Sequence, residues 1–212
     1  MASFMVHIAV ASEINKQLRR DRSKLLIGTI APDISKILGD DKKYTHFLSP
    51  SNLNVPSLDK FLNLYGKHLN DDFVLGYYIH LYVDYLWFKY FIPEIYDESK
   101  ELLTKIDGST ITCHGQMLSM YIYNDYTNLN EKIIKDYKID MEFLYDEIPR
   151  FRNIIMEAHM DKLDKLIMKS RYILENSKIS KDMVFNMENI DNFISLSVRL
   201  IISNLMELGV LY

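Results

Sequence analysis

A chain of 212 residues, 48% of them hydrophobic and 25% charged, is long enough to bury a substantial core and has an ordinary globular balance, so 1–212 is expected to form a single domain. Seven Gly and five Pro are too few for the many tight turns of an all-β fold, and a formal charge of −4 excludes a broad basic groove for nucleic acid, though not a small phosphate-bearing ligand. The single cysteine, Cys113, excludes an intramolecular disulfide and a cysteine-rich zinc site.

Helical periodicity opens the chain. Over 5–20, His7, Ala11, Ile14 and Leu18 share one face, while Glu13, Lys16, Gln17 and Arg20 lie mostly off it. The apolar stretch 4–11 has no basic segment before it and is interrupted by His7, so it reads as a first helix rather than a processed leader. A charged turn, 21–24, precedes Leu25-Leu26-Ile27-Gly28. Pro32 biases Ala31 away from helical geometry, which puts Asp33 at a bend. The stretch 48–56, with two prolines and several Ser and Asn, reads as an exposed loop. Ser57 is placed to cap a helix over 58–69, with Asp59 in its first turn.

A long helix is expected over 72–91, stopping near Pro93. The apolar run 73–92 carries His80, Asp84 and Lys89, and charges at mid-depth are costly in lipid, so a buried helix of a soluble, cytoplasmic protein is expected rather than a membrane span. Asp107-Gly108 marks a turn. Further helices are expected over 110–123, 131–137, 141–148, 151–176 and 191–208. The expected architecture is an all-α, single-domain helical bundle.

His80 and Asp84 are four residues apart on the 72–91 helix, so their side chains leave one face from adjacent turns. Phe73, Tyr77, Trp87 and Phe88 share that stripe, which turns the polar pair toward the core. Lys89 lies half a turn away and cannot readily neutralise Asp84. A buried carboxylate without a partner is costly, and a divalent cation held by both side chains removes the cost. Taken singly, each candidate has a plainer reading. His-x-x-x-Asp on a helix is most often a hydrogen-bonded pair, His7 a satisfied core histidine, Asp33 a turn or cap residue and His46 a surface residue.

Taken jointly, the segments Met5-Val-His-Ile-Ala, Ile27-Gly-Thr-Ile-Ala-Pro-Asp33, Thr45-His46 and Leu75-Gly-Tyr-Tyr-Ile-His80-Leu-Tyr-Val-Asp84 resemble the zinc-dependent phospholipase C family. That family shares an all-helical superfamily with the P1-type nucleases. The resemblance implies a helical bundle of that type around a zinc cluster, and hydrolysis of phosphate esters by metal-activated water. Position by position it implies Asp33, His46, His80 and Asp84 as ligands of one zinc, and His7 as the histidine of a neighbouring zinc that shares Asp84. Five candidates exceed a closed tetrahedral site, so two ions bridged by a carboxylate, or one of higher coordination, are expected, with iron or manganese as alternatives to zinc.

The chain also departs from the family pattern. The secreted phospholipases use the amino group of a mature N-terminal Trp, whereas this chain begins Met-Ala-Ser-Phe. The family's remaining zinc uses further histidines and a Glu, the last two as His-x-x-x-Glu. Tyr90 and Leu118 stand at the nearest spacings here, so that third site is not expected. Asp125, in Tyr123-Asn-Asp-Tyr-Thr-Asn-Leu-Asn, resembles an acidic motif of small bacterial relatives and is a sixth metal candidate. His114 and His159 read as structural, and His68 as exposed.

The expected function is a metal-dependent hydrolase acting on a phosphoester or a related ester or amide. Asp33 is the catalytic candidate, as a ligand that orients or deprotonates water. Tyr77, Tyr78 and Trp87 are candidates for an apolar wall facing a small-molecule or lipid-like substrate. The alternative is a non-catalytic helical structural or interaction protein that holds metal for folding. An HD-type phosphohydrolase is disfavoured, because none of the six histidines is followed by Asp.

Overall fold

The longer helices of the first half each start where the sequence supplies a side-chain acceptor. The computed structural model describes residues 1–39, 42–50, 52–177 and 180–211. Helix α1 (Phe4–Leu18) begins at Ser3, whose hydroxyl accepts from the Val6 N–H, and ends on Arg19 in left-handed backbone. Helix α2 (Arg22–Ile30) is capped by Asp21, which accepts from the Lys24 N–H, so 21–24 is a helical start and not a separate turn. The chain then tightens into a 3-10 turn, Ala31–Ile34, and continues as α3 (Ser35–Leu38). Ala31 keeps helical backbone, φ −57° and ψ −36°, despite Pro32. Pro32 sits in the first turn of the 3-10 segment, where its missing N–H leaves no bond unmade.

The stretch expected as an exposed loop is an antiparallel hairpin of β1 (Leu48–Ser49) and β2 (Asn52–Pro56), with Leu48 and Pro56 buried. Ser51, between them, lies outside the described residues. Helix α4 (Leu58–Tyr65) starts on the Ser57 cap, as expected, and is followed by a 3-10 turn, Gly66–His68. Helix α5 (Asp72–Leu86) widens into a π-helical turn, Trp87–Phe91, and runs on as α6 (Ile92–Ile95). Pro93 therefore does not stop it. The wider turn precedes Pro93, which stands in the first turn of the new segment.

The second half departs further from expectation. Strands β3 (Tyr96–Asp97), β4 (Leu102–Thr104) and β5 (Thr110–Thr112) form an antiparallel sheet, with Gly108 in left-handed backbone at the last hairpin turn. Thr110-Ile111-Thr112 is β-branched throughout and lies in a strand where a helix was expected. Helix α7 (Gly115–Asp136) then runs unbroken across two segments expected to be separate. A 3-10 turn, Glu142–Leu144, replaces the helix over 141–148. In 151–162 only Ile155 and Ala158 are buried, too narrow a stripe to hold a helix, and α8 starts later (Leu163–Glu175). Helix α9 (Met187–Glu207) begins early because Asn186 and Asn189 cap each other's backbone. The fold is mostly helical, as expected, with two small sheets among the described residues beside the helices. No helix among the described residues is long and apolar enough to cross a membrane.

At the centre α2 and α5 touch backbone to backbone. A Cβ on Gly28 would stand 2.2 Å from the Phe73 carbonyl oxygen, and one on Gly76 would stand 2.0 Å from that of Leu25. Only glycine fits at either place. We expect Gly76→Ala to lower stability by about 2 kcal/mol or more, the scale of overpacking a core, seen as a drop of several degrees in Tm. Gly115→Ala, where an added Cβ meets nothing within 4 Å, should change Tm little. Equal Tm values for the two variants would show that the helices can separate freely.

Candidate metal centre

Helix α1 supplies His7, the 3-10 turn supplies Asp33, the turn before β1 supplies His46, and α5 supplies His80 and Asp84. All five are buried, Asp33 at 6% exposure and the others at 0–1%. Their ligating atoms fall into two groups, His7 with His80 and Asp84, and Asp33 with His46 and His80, each with all atoms within 4.8 Å of one another. His46 Nε2 lies 3.3 Å from His80 Nε2, 3.6 Å from Asp33 Oδ1 and 3.8 Å from Asp84 Oδ2, and His80 Nε2 lies 3.6 Å from Asp84 Oδ2. His46 Nε2, His80 Nε2 and Asp84 Oδ2 thus lie 3.3–3.8 Å from one another, near the roughly 3.3–3.4 Å between donors of a tetrahedral zinc with bonds of about 2.0–2.1 Å, and Asp33 Oδ1 approaches the same His46 Nε2. His7 Nε2 lies 3.3 Å from the other Asp84 oxygen, Oδ1.

The rings are aimed by their outer nitrogens. His80 Nδ1 lies 2.7 Å from the Thr29 carbonyl oxygen, which only accepts, so the proton is on Nδ1 and the Nε2 lone pair faces the cluster. His46 Nδ1 lies 2.9 Å from Thr45 Oγ1, whose hydroxyl donates to the Lys42 carbonyl oxygen. The two Nε2 atoms face each other across 3.3 Å, the separation of two donors on one cation. The His80 lone pair can serve one ion only, so the two overlapping groups cannot each be a complete three-ligand site. His7 stacks on His80 with ring centroids 3.8 Å apart and planes 6° from parallel. Both His7 nitrogens, Asp33 Oδ1 and Asp84 Oδ2 are buried without a hydrogen-bond partner. Such orphaned atoms on three potential ligands fit a missing cation.

The charges agree. Burial alone would raise both carboxyls, but the Lys36 ammonium beside Asp33, and the imidazoles of His7 and His80 beside Asp84, hold them well below the usual carboxylate range. Lys36 Nζ sits 2.7 Å from Asp33 Oδ2. Burial pulls His7 down to about 4, with repulsion from His80 adding to it, and burial also lowers His46. At pH 7 the set thus offers two carboxylates and, at His7 and His46, neutral imidazoles, the protonation states a divalent ion requires.

His46 comes from an irregular segment, yet it is firmly held. Its N–H donates to the Lys42 carbonyl oxygen over 2.8 Å, and the Tyr77 hydroxyl donates to the Thr45 carbonyl oxygen over 2.5 Å. Phe47 adopts left-handed backbone (φ 50°), a strained conformation for a side chain of its size, and its buried ring is fixed among Phe61, Tyr65 and Tyr77.

Other candidates lie elsewhere. Asp125 is in neither group. Its oxygens accept from the backbone N–H groups of Met183, Val184 and Phe185 and from Asn124 Nδ2, tying α7 to the segment before α9. His114 is exposed and paired with Glu101 at 2.9 Å, His159 is exposed between two 3-10 turns, and His68 is half-buried rather than exposed. Of the three aromatic candidates for a substrate wall, only Trp87 lines the main cleft. Tyr78 instead donates to Asn204 Oδ1, and Tyr77 braces the His46 turn. Thr29, Lys36, Thr45 and Tyr77 escaped the sequence reading as supports of the site. Lys36 could have been found three residues beyond Asp33 in a helical turn, and Thr45 beside His46, whereas the Thr29 carbonyl depends on how two helices cross.

The main cleft, about 1020 Å³, runs beside the cluster and is lined by Met1, Lys42, Trp87, Phe88, Ile122 and Tyr126 among others. Met1 and Ala2 stand between cleft and cluster. The Tyr126 hydroxyl donates to the Met1 carbonyl oxygen over 2.6 Å, and the Ala2 N–H donates to Asp84 Oδ1 over 2.8 Å.

Polar residues buried around unpartnered donor atoms define this class of site as a candidate centre for a divalent cation. No family model matches the chain, and no curated protein or solved structure matches it.

Two outcomes are expected. His80→Ala should abolish metal binding in never-chelated protein, whereas His68→Ala should leave it unchanged. Elemental analysis giving equal metal content would misplace the site. In chelated protein, stability should fall as pH drops from about 6.5 to about 4, because the unfolded chain takes a proton at His7 that the folded chain refuses. The Asp33 and Asp84 contributions, present above the ordinary carboxylate value of 3.8, are lost only at still lower pH. Denaturant titrations should show a shallower acid slope for His7→Gln, and an unchanged slope would remove His7 from this role.

Proposed function

We propose that this chain is a metal-dependent hydrolase of phosphate esters or related esters, the activity implied by its resemblance to the zinc-dependent phospholipases C. The observation that supports this reading is the convergence of His46 Nε2, His80 Nε2 and Asp84 Oδ2 within 3.3–3.8 Å of one another, with Asp33 Oδ1 3.6 Å from His46 Nε2 and the His80 proton engaged on the outer side by the Thr29 carbonyl. These four atoms would hold one ion, and His7 with Asp84 Oδ1 would contribute to a second. A divalent ion bound there supplies Lewis acidity toward a phosphoryl or carbonyl oxygen and makes water a competent nucleophile near neutral pH.

Asp33 is the least enclosed of the five, at 6% exposure. With Lys36 holding Oδ2, Oδ1 is the oxygen left to face the ion and incoming water. Because its pKa is held so low, Asp33 suits accepting a hydrogen bond from water and orienting it better than removing a proton outright. The Thr29 carbonyl keeps His80 in the tautomer that leaves Nε2 free, and Thr45 Oγ1 holds the His46 ring through Nδ1.

A second reading, metal held for folding alone, is favoured by the depth of the cluster, with His46, His80 and Asp84 at 0–1% exposure and Met1 standing between them and the cleft. Metal content and turnover measured on one sample separate the two. The panel should include chromogenic phosphodiesters, phosphomonoesters and short acyl esters, with zinc, manganese and iron each supplied. Asp33→Asn keeps size and one oxygen but loses charge, and we expect it to cut turnover at least about a hundredfold with metal retained. Near-wild-type turnover in metal-loaded Asp33→Asn would remove Asp33 from the reaction. A loaded wild-type protein that turns over nothing, yet loses stability on chelation, would establish the folding role instead.

A further inference from the structure

We propose that Lys42 forms an anion-binding subsite where the cleft meets the candidate metal centre, so that the preferred ligand carries one doubly charged phosphate on a neutral or cationic remainder. This deepens the hydrolase reading and rests on it for the word substrate, although the anion site itself does not require turnover.

The position of Lys42 is fixed by the site. Its carbonyl oxygen accepts from the His46 N–H at 2.8 Å and from the Thr45 hydroxyl at 3.4 Å, so the turn that aims His46 also carries Lys42. Its side chain lines the cleft beside Met1, with Nζ over the Phe88 ring, 5.7 Å from the centroid. Among the described residues no carboxylate lies within ion-pair distance of it. Asp33 and Asp84, by contrast, face inward, and Asp33 already has Lys36. Lys42, Lys36, Asp33 and Asp84 all act electrostatically on the Met1 amino group, so the four charges surround one small region. With a divalent ion in place, two carboxylates face an ion and two ammonium groups, and that region is net positive. An ammonium has three N–H donors, and Lys36 spends one of them on Asp33 Oδ2.

The rest of the cleft restricts the ligand. Trp87, Phe88 and Ile92 give it an apolar wall, suited to the uncharged body of an ester. Its other lining residues include Asp97, Glu98 and Glu101, which would repel a second anionic group. A polyphosphate or a nucleic-acid strand therefore meets repulsion along the cleft, and a single terminal phosphate does not.

The test uses inorganic phosphate as the probe and the metal-loaded full chain at about pH 8, where phosphate is mostly doubly charged. Calorimetry should detect phosphate binding that weakens with added salt. Lys42→Gln should weaken it at least about tenfold with metal content unchanged, Lys42→Arg should retain most of it, and Lys67→Gln, an exposed lysine after α4, should match wild type. Independently of any variant, saturating phosphate should protect Lys42 of the wild-type protein from acylation, read by mass spectrometry. Wild-type affinity in Lys42→Gln, full acylation of Lys42 under phosphate, or no phosphate binding by the loaded wild type would each overturn the subsite. If no ester is turned over but phosphate binding depends on Lys42, the hydrolase reading falls and the subsite stands. If esters are turned over while Lys42→Gln binds phosphate normally, the subsite alone falls.

Discussion

The backbone contact between α2 and α5 is the constraint on which the candidate centre depends. With Gly28 against the Phe73 carbonyl and Gly76 against the Leu25 carbonyl, the two helices approach more closely than any side chain would allow. That approach brings the Thr29 carbonyl oxygen within 2.7 Å of His80 Nδ1, four residues along α5 from Gly76. A helix pair at ordinary spacing, about 8–10 Å between axes, would fill the gap with side chains and leave His80 free to rotate or change tautomer. The same closeness carries the chain past Ile30 into the 3-10 turn that presents Asp33. Packing geometry, ring orientation and ligand placement are thus one constraint seen at three scales.

Burying this cluster is electrostatically unfavourable, and the surroundings show how it is tolerated. Asp84 accepts from the Ala2 N–H through Oδ1 but has no hydrogen-bond partner on Oδ2, and Asp33 is paired with Lys36 through Oδ2 but has none on Oδ1. Each carboxylate therefore has one satisfied oxygen and one that faces the imidazoles. An unpartnered buried acceptor costs on the order of 1–3 kcal/mol, more when it is charged, so a cation at the centre would recover several such penalties at once. Folding and cation binding are coupled by that recovery, whatever reaction the centre supports.

What the sequence revealed follows the range of the interactions involved. His80 and Asp84 share a helix face, and spacing four residues apart is enough to place them together. The Ser57 cap and the starts of α1 and α5 were legible for the same local reason. His7, Asp33 and His46 were grouped only through a resemblance between motifs, because no local rule brings α1, a 3-10 turn and a loop to one point. Where the reading missed, a nonlocal or competing local term was in control. Thr110-Ile111-Thr112 went to a strand because a hairpin partner was available in β4. Pro93 was absorbed by a widened turn that no pattern announces. Asp125 matched an acidic motif, but three backbone N–H groups from the segment before α9 occupy its carboxylate.

Nearly every support of the centre passes through α5. Gly76 sets the distance to α2, Tyr77 reaches the turn that carries His46, and His80 and Asp84 supply donor atoms themselves, all within three turns of one helix. Positions 77, 80 and 84 follow the helical repeat, so a rigid rod fixes their mutual spacing before any ion arrives. His46, which neither α5 carries nor α2 leads into, is held by Tyr77 and by the strained backbone at Phe47, whose ring is packed against α4 and α5. Donors fixed in this way cannot relax outward to suit a larger ion or inward to suit a smaller one. Selection among divalent metals at this centre would then rest on donor type and spacing, nitrogen and oxygen atoms 3.3–3.8 Å apart, rather than on raw affinity.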